Sequence, residues 1–255
     1  MAVIIKTPEE IEILREGGRR LATILQKVGK KVAPGVTTAA LDAYAEELIR
    51  AGGDEPAFLG YTPEGVSYPF PASLCVSVNN EIVHGIPGDR VLKNGDIVTI
   101  DLGLKHRGLF TDHAISLPVG QISKNSQKLL DATREALYVG IEAARGGNTT
   151  GDIGHAIQEY IRPFKYGIIR GLSGHGVGRA IHEDPFIPNY GKRGAGERLR
   201  PGMVVALEPM IAEGDWQAIP QPDEYLYTTG DGSRAAHFEH TILITEGEPE
   251  ILTQI

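Results

Sequence analysis

A chain of 255 residues, 41% hydrophobic and 23% charged, is long enough to bury a substantial core and too evenly composed to be disordered or fibrous. Its formal charge of −8 argues against a direct nucleic-acid partner, because phosphate binding needs a basic face, and part of that deficit suits carboxylates that hold metal. Cys75 is the only cysteine, which excludes an internal disulfide and a multi-thiolate zinc site and suits a reducing compartment.

The stretch from Met1 to Glu10 has too short an apolar run for a signal peptide, and no later stretch is long enough to span a bilayer. The expectation is a soluble cytoplasmic protein with no membrane partner. Thr7, Pro8 and Glu10 then read as the cap, first and third positions of a helix, continued by the apolar stripe Ile11, Leu14, Leu21, Leu25 and Val28 until Pro34-Gly35 breaks it. A second helix runs from Thr38 through Leu41, Ala45 and Leu48 to Gly52-Gly53, and an irregular stretch follows from Asp54 to Ala72. Leu74 to Val78 reads as a strand. Ile97 to Leu117 reads as a hairpin with polar turn residues from Lys105 to Gly108.

Centred between His106 and Arg107, that hairpin pairs residues whose numbers sum to 213, which sets Asp101 opposite Asp112. Their Cβ atoms would lie roughly 4.5–5.5 Å apart on one face. Two like charges there repel. Either the register slips and one aspartate faces solvent, or a cation sits between them.

After Gly120 the order of elements returns, with a helix from Gln127 to Ala144 ending at Gly146-Gly147. Gly35-Val36-Thr37-Thr38 matches Gly147-Asn148-Thr149-Thr150 and Leu48-Ile49-Arg50 matches Tyr160-Ile161-Arg162, at a constant offset of 112 residues. With one gap, Gly88 to Asp101 is echoed by Gly196 to Glu208, and Thr111-Asp112-His113 by Phe238-Glu239-His240. The chain thus reads as a single domain, 1–255, built from two copies of a helix-helix-strand unit, about 8–120 and 121–246. Asp101 and Asp112 then correspond to Glu208 and Glu239. If the halves pack about a pseudo-twofold axis, four carboxylates meet at one junction, which requires cations.

Strand alternation points His113 and His240 away from the carboxylate face, while His106 in the turn and His155 on a helix are expected to be solvated. His84, His175 and His182 lie in Gly- or Pro-punctuated segments just before the carboxylate strands. Gly174-His175-Gly176-Val177-Gly178-Arg179 lacks the spacing of a phosphate-cradling loop, so its glycines are read as letting the backbone pass a metal centre and bend. Carboxylates with one or two imidazoles and no thiolate favour two hard or borderline divalent ions such as Mn, Fe(II), Co or Zn. Such a pair makes a hydrolytic site.

With those residues in hand, the chain resembles type I methionine aminopeptidases, of the pita-bread fold, from about Ile4 to Glu246. The motifs are Val83-His84-Gly85-Ile86-Pro87, Asp101 with Asp112, Gly174 to Arg179 followed by His182-Glu183, Leu207-Glu208-Pro209-Met210, and Phe238-Glu239-His240-Thr241. The resemblance implies an α+β fold with two pseudo-twofold-related halves around a central curved antiparallel sheet. It implies that Asp101, Asp112, His175, Glu208 and Glu239 bind two divalent ions, with Asp112 and Glu239 bridging. A metal-activated hydroxide would attack the methionyl carbonyl, Glu208 would shuttle the proton, His182 would stabilise the oxyanion and His84 would contact the scissile amide. The substrates implied are N-terminal Met peptides and nascent polypeptides with a small second residue, met at the ribosome, by an enzyme that is monomeric by default.

The Met pocket of this family aligns with Phe58, Tyr61, Phe70, Ile181 and Tyr225. Familiar bacterial members carry cysteine at Phe58, phenylalanine at Ile181 and tryptophan at Tyr225, and this chain has extra residues around Thr62 to Tyr68. Pocket shape is therefore expected to depart from theirs more than chemistry does. Xaa-Pro peptidases share the metal set but carry an N-terminal domain, for which nothing precedes Pro8 here. Type II methionine aminopeptidases carry a helical insertion for which His182 to Glu208 leaves no room. A non-catalytic binding protein would be expected to lack some of the five ligands.

Overall fold

In a computed structural model that describes residues 3–255, four long helices lie over antiparallel strands. Met1 and Ala2, at the head of the short apolar N-terminal run, lie outside the described residues. Helix α1 (Pro8–Gly29) begins at the expected capping box, with the Thr7 hydroxyl accepting from Glu10 N and the Glu10 carboxylate accepting from Thr7 N. Helix α2 (Thr38–Ala51) is capped by Thr37. Helix α3 (Lys124–Ala143) starts three residues earlier than the apolar pattern suggests because the Ser123 hydroxyl accepts from Ser126 N. Helix α4 (Thr150–Ile161) is capped by Thr149.

In the first half the strand Ile97–His106 lies between Leu74–Val78 and Leu109–Pro118. In the second, Val204–Leu207 lies between His240–Leu243 and Gly174–Gly176. The helices cover one face of each. Leu21, Leu25, Val28, Leu41 and Ile49 pack on Val76, Ile100 and Leu102, while Leu129, Ile141, Ile153 and Ile157 pack on Val205 and Ile242. Equivalent contacts recur, with Gly35 and Val36 offset by 112 residues and Leu92 by 107. Gly35 N donates to Leu92 O and Leu92 N to Val36 O; Gly147 N donates to Leu199 O and Leu199 N to Asn148 O.

The halves meet along the strand Leu109–Pro118. Glu239 N donates to Ala114 O at 2.9 Å, and the Thr241 hydroxyl accepts from Asp112 N and donates to Asp112 O. Ser116 Oγ donates to His237 O and accepts from His237 N. This seam carries the second half's acidic strand onto the hairpin.

The hairpin register differs from the sequence reading. Arg107 (φ 49°) and Gly108 (φ 87°) form the two-residue turn, so paired numbers sum to 215, with Asp101 opposite Ala114 and Gly103 opposite Asp112. A tight hairpin of this kind needs positive φ at both central residues, and Gly108 supplies it without strain. The two aspartates are diagonal neighbours on one face rather than a direct pair. Neither faces solvent, with Asp101 8% and Asp112 4% exposed.

The N-terminal arm is tied to the second half by a buried ion pair, Lys6 Nζ to Glu183 Oε2 at 2.6 Å. Glu183 Oε1 also accepts from Arg179 N and Ala180 N, so one carboxylate holds the 179–183 loop that bears Ile181 and His182. Lys6→Met is expected to cost about 3 kcal/mol, the low end for breaking a buried pair because Glu183 keeps its backbone donors. Urea unfolding measures it; a change under about 0.5 kcal/mol, typical of a surface substitution, would show that the pair contributes nothing beyond packing.

Candidate metal centre and active site

The hairpin presents Asp101 and Asp112 to a cleft of about 120 Å³ at the seam. His175 reaches it from the strand Gly174–Gly176, Glu208 from the residue after Val204–Leu207, and Glu239 from between Ala235–His237 and His240–Leu243. Ligand atoms of Asp112, His175 and Glu239 lie within 4.8 Å of one another, and His175 Nε2 stands 3.4 Å from Glu208 Oε1. Asp101 lies against Asp112, where the two carboxyls share a hydrogen bond. All five expected ligands therefore face one space.

Local geometry explains several of the surrounding residues. A Cβ on Gly174 would come 2.4 Å from Ala206 O, and one on Gly176 would come 2.2 Å from Asp184 O. Those glycines serve close strand crossing rather than passage past the metal. The bend is at Gly178 (φ 142°), and it brings the His182 ring to 4.5 Å from that of His175. His182 Nδ1 is bonded to the Tyr61 hydroxyl at 2.8 Å. His84, at φ 61°, also lines the cleft.

The other histidines divide as alternation suggests, with one exception. His113 and His240 stack at 4.6 Å away from the carboxylates, and His113 Nδ1 bonds Glu239 O. His155 is half-buried on α4. His106, expected in solvent, is instead buried with its Nδ1 2.7 Å from Asp54 Oδ1, because the strand end packs under Gly17 of α1.

Phe58, Tyr61, Phe70 and Tyr225 line the apolar wall, and Ile181 is buried in the same cluster. Tyr225 packs edge-on to Phe70 and Tyr68 and donates to Tyr68 O at 2.5 Å. The extra residues do form a rim: Tyr68 donates to Asp223 O, Ser67 N to Glu224 Oε2, and Pro63 faces the cleft. Sequence reasoning missed His237, which is 2% exposed and lines the cleft. Its period-two spacing from Glu239 was the available signal.

The donor set fits divalent cations. Asp101 Oδ1 and Glu239 Oε1 are buried without a hydrogen-bond partner, which is costly unless something completes them. His175 Nδ1–H donates to Gly176 O at 2.9 Å, so its Nε2 lone pair points into the cluster, the arrangement of a metal-ligating imidazole. Oxygen and imidazole donors together suit hard or borderline ions.

Burial raises the pKa of Asp101, Glu208 and Glu239 well above the usual carboxylate range, with the Asp112 charge adding to it, and pushes Asp112 up to about 7. Burial lowers His175 to about 4 and His237 to about 3; His182, at the open rim, is also lowered, by desolvation and the neighbouring His175 and His84 rings. In the metal-free fold the carboxyls hold protons that the unfolded chain releases near its ordinary values, so they destabilise the fold as pH rises toward their folded pKa values. The histidines act oppositely, but only below the ordinary imidazole value of 6.5. Above it the carboxyls act alone. The thermal midpoint of metal-free protein is therefore expected to fall as pH rises above 6.5, and divalent metal to remove that slope. Calorimetry with and without chelator checks this; a rising metal-free profile would contradict the clustered carboxylates.

The sequence profile of metallopeptidase family M24 matches residues 12–246. The chain belongs to metallopeptidase family M24. This M24 chain is 46% identical over 253 residues to methionine aminopeptidase 1 of Bacillus subtilis (strain 168), covering 99% of this chain and 100% of that one. The crystal structure of methionine aminopeptidase from Thermotoga maritima matches it with a TM-score of 0.95 at 43% identity, each chain covered in full. Prolidase from Pyrococcus furiosus matches with a TM-score of 0.77 at 26% identity, covering 99% of this chain and 66% of the prolidase. The M24 chain thus has the pita-bread fold of both and is a hydrolase by family. None of its described helices is long and apolar enough to cross a membrane.

Proposed function

We propose that this chain is a cytoplasmic, monomeric methionine aminopeptidase. It removes the N-terminal methionine of peptides, and of nascent polypeptides at the ribosome, when the second residue is small. Two divalent ions, drawn from Mn, Fe(II), Co or Zn, would be held by Asp101, Asp112, His175, Glu208 and Glu239, with Asp112 and Glu239 between them. The observation that carries this reading is the convergence of Asp112, His175 and Glu239 at the floor of a cleft walled by Phe58, Phe70 and Tyr225. The greater likeness to methionine aminopeptidases than to prolidase supports it. We read residues 8–120 and 121–246 as the two copies of one unit within a single catalytic domain.

Bound ions supply Lewis acidity at the scissile carbonyl and lower the pKa of water. The chain's own residues do the rest. Asp101 Oδ1, free of protein partners, accepts from the substrate's α-amine. Glu208 accepts a proton at its carboxylate and returns it to the leaving amine. His182, with Nδ1 engaged by Tyr61, directs Nε2–H at the developing oxyanion, while His84 contacts the scissile amide. Phe58, Tyr61, Phe70 and Tyr225 hold the methionine side chain.

The test adds Mn, Co or Fe(II) to metal-free protein and compares Met-Ala-Ser, the dipeptide Met-Pro and an Ala-initiated peptide. Metal-dependent cleavage of Met-Ala-Ser alone is expected. Cleavage of Met-Pro alone would favour the Xaa-Pro reading, and no turnover with any metal would favour a binding protein.

A further inference from the structure

His237 is a buried polar side chain with no part in the proposed reaction. It lines the cleft, and neither ring nitrogen has a hydrogen-bond partner. Its backbone cannot shift to relieve this, since Ser116 Oγ holds both His237 N and His237 O and Met210 pairs with it across the ladder. The backbone is therefore held where the ring faces Glu208, with Nε2 3.6 Å from Oε2.

The Glu208 carboxylate lies between two imidazoles, His175 Nε2 toward Oε1 and His237 Nε2 toward Oε2. They differ in one respect. His175 has Nδ1 pinned by Gly176 O and so presents a lone pair, whereas His237 has no partner to fix it as a ligand. Among the described residues no other group donates to the Glu208 carboxylate; Asn189 Nδ2 reaches only its backbone oxygen, at 3.0 Å. A ligating carboxylate is ordinarily held by an outer donor. We propose that His237 is that donor, a positioning residue whose Nε2–H engages Glu208 Oε2 and leaves Oε1 available to a metal ion. Closing the 3.6 Å gap to the range of about 2.7–2.9 Å for such a bond takes less than one ångström of ring movement.

The inference rests on the metal-centre reading of the site, and its test needs no peptide. Metal-free wild type, His237→Gln and His237→Leu are titrated with Co(II) by calorimetry, and the imidazole count per cobalt is read from X-ray absorption of the loaded proteins. Expected are binding about 10–100-fold weaker in His237→Leu, binding in His237→Gln, which keeps an N–H donor, within about threefold of wild type, and the same imidazole count in all three. Unchanged affinity in His237→Leu would overturn the proposal. So would a loss of one imidazole in either variant, which makes His237 a ligand, or a His237→Gln as weak as His237→Leu, which removes the donor role. If His237→Leu does not fold, His237→Met, which fills the space without an N–H, takes its place with the same expected loss, and unchanged affinity in it overturns the proposal. A wild type that binds cobalt but does not cleave Met-Ala-Ser would refute the peptidase reading and leave this result standing.

Discussion

Asp112→Asn is expected to abolish metal-dependent turnover and at the same time to stabilise the metal-free protein. Asp112 sits diagonal to Asp101 on the hairpin and within ligand distance of His175 and Glu239, so it joins the candidate donors of the first half to those of the second. Asparagine keeps the shape but removes a charge that its neighbours oppose and an oxygen that the ions need. kcat/KM should fall by about four orders of magnitude, the upper scale for loss of an essential polar group at a reacting centre. Without metal, one fewer carboxyl at the junction should raise stability by about 1 kcal/mol, as active-site relief commonly does. Paired thermal scans measure both signs. Wild type should gain stability on adding Co(II) or Mn(II) by mass action, and the variant should gain little. Full activity in the variant, or a wild-type-like response to metal, would sink the ligand assignment.

His182→Ala should separate catalysis from metal binding. His182 stands at the open rim, held through Nδ1 by the Tyr61 hydroxyl, with its ring against that of His175. It is not among the clustered ligand atoms. Its lowered pKa keeps the ring neutral at pH 7, so Nε2–H is a donor that meets charge only as the oxyanion develops. Removing such a donor lowers kcat by about 10²–10³. Metal affinity should be unchanged by calorimetry. Tyr61→Phe should give a smaller drop in kcat, because the ring loses its orientation but keeps its donor. If His182→Ala lost metal instead, His182 would be a ligand, and the oxyanion role would pass to another group.

Chemistry was more legible than geometry. The echoes of Gly88 to Asp101 in Gly196 to Glu208 and of Thr111-Asp112-His113 in Phe238-Glu239-His240 paired Asp101 and Asp112 with Glu208 and Glu239 before any coordinates. The hairpin register was misjudged by one step, since polar residues at 105–108 admit more than one turn and only the positive φ at Arg107 and Gly108 selects it. That shift kept both aspartates on the same face. His106 was misread because its burial depends on α1, more than eighty residues earlier in the chain.

By itself the sequence determined residue types, their periodicity and their recurrence, and these suffice to name four candidate carboxylate donors, the helices that cover the sheets and the absence of any thiolate beyond Cys75, while the choice of His175 as the fifth donor came from the family resemblance. Distances between segments far apart in the chain came only with the tertiary structure. The 4.8 Å junction of Asp112, His175 and Glu239, the loop 179–183 held by Lys6 and Glu183, and the Glu208 carboxylate caught between His175 and His237 all belong to it. The physical reason is that local propensity acts over a few residues, whereas the positions of these groups follow from how two packed halves close against each other along the Asp112–Thr241 seam.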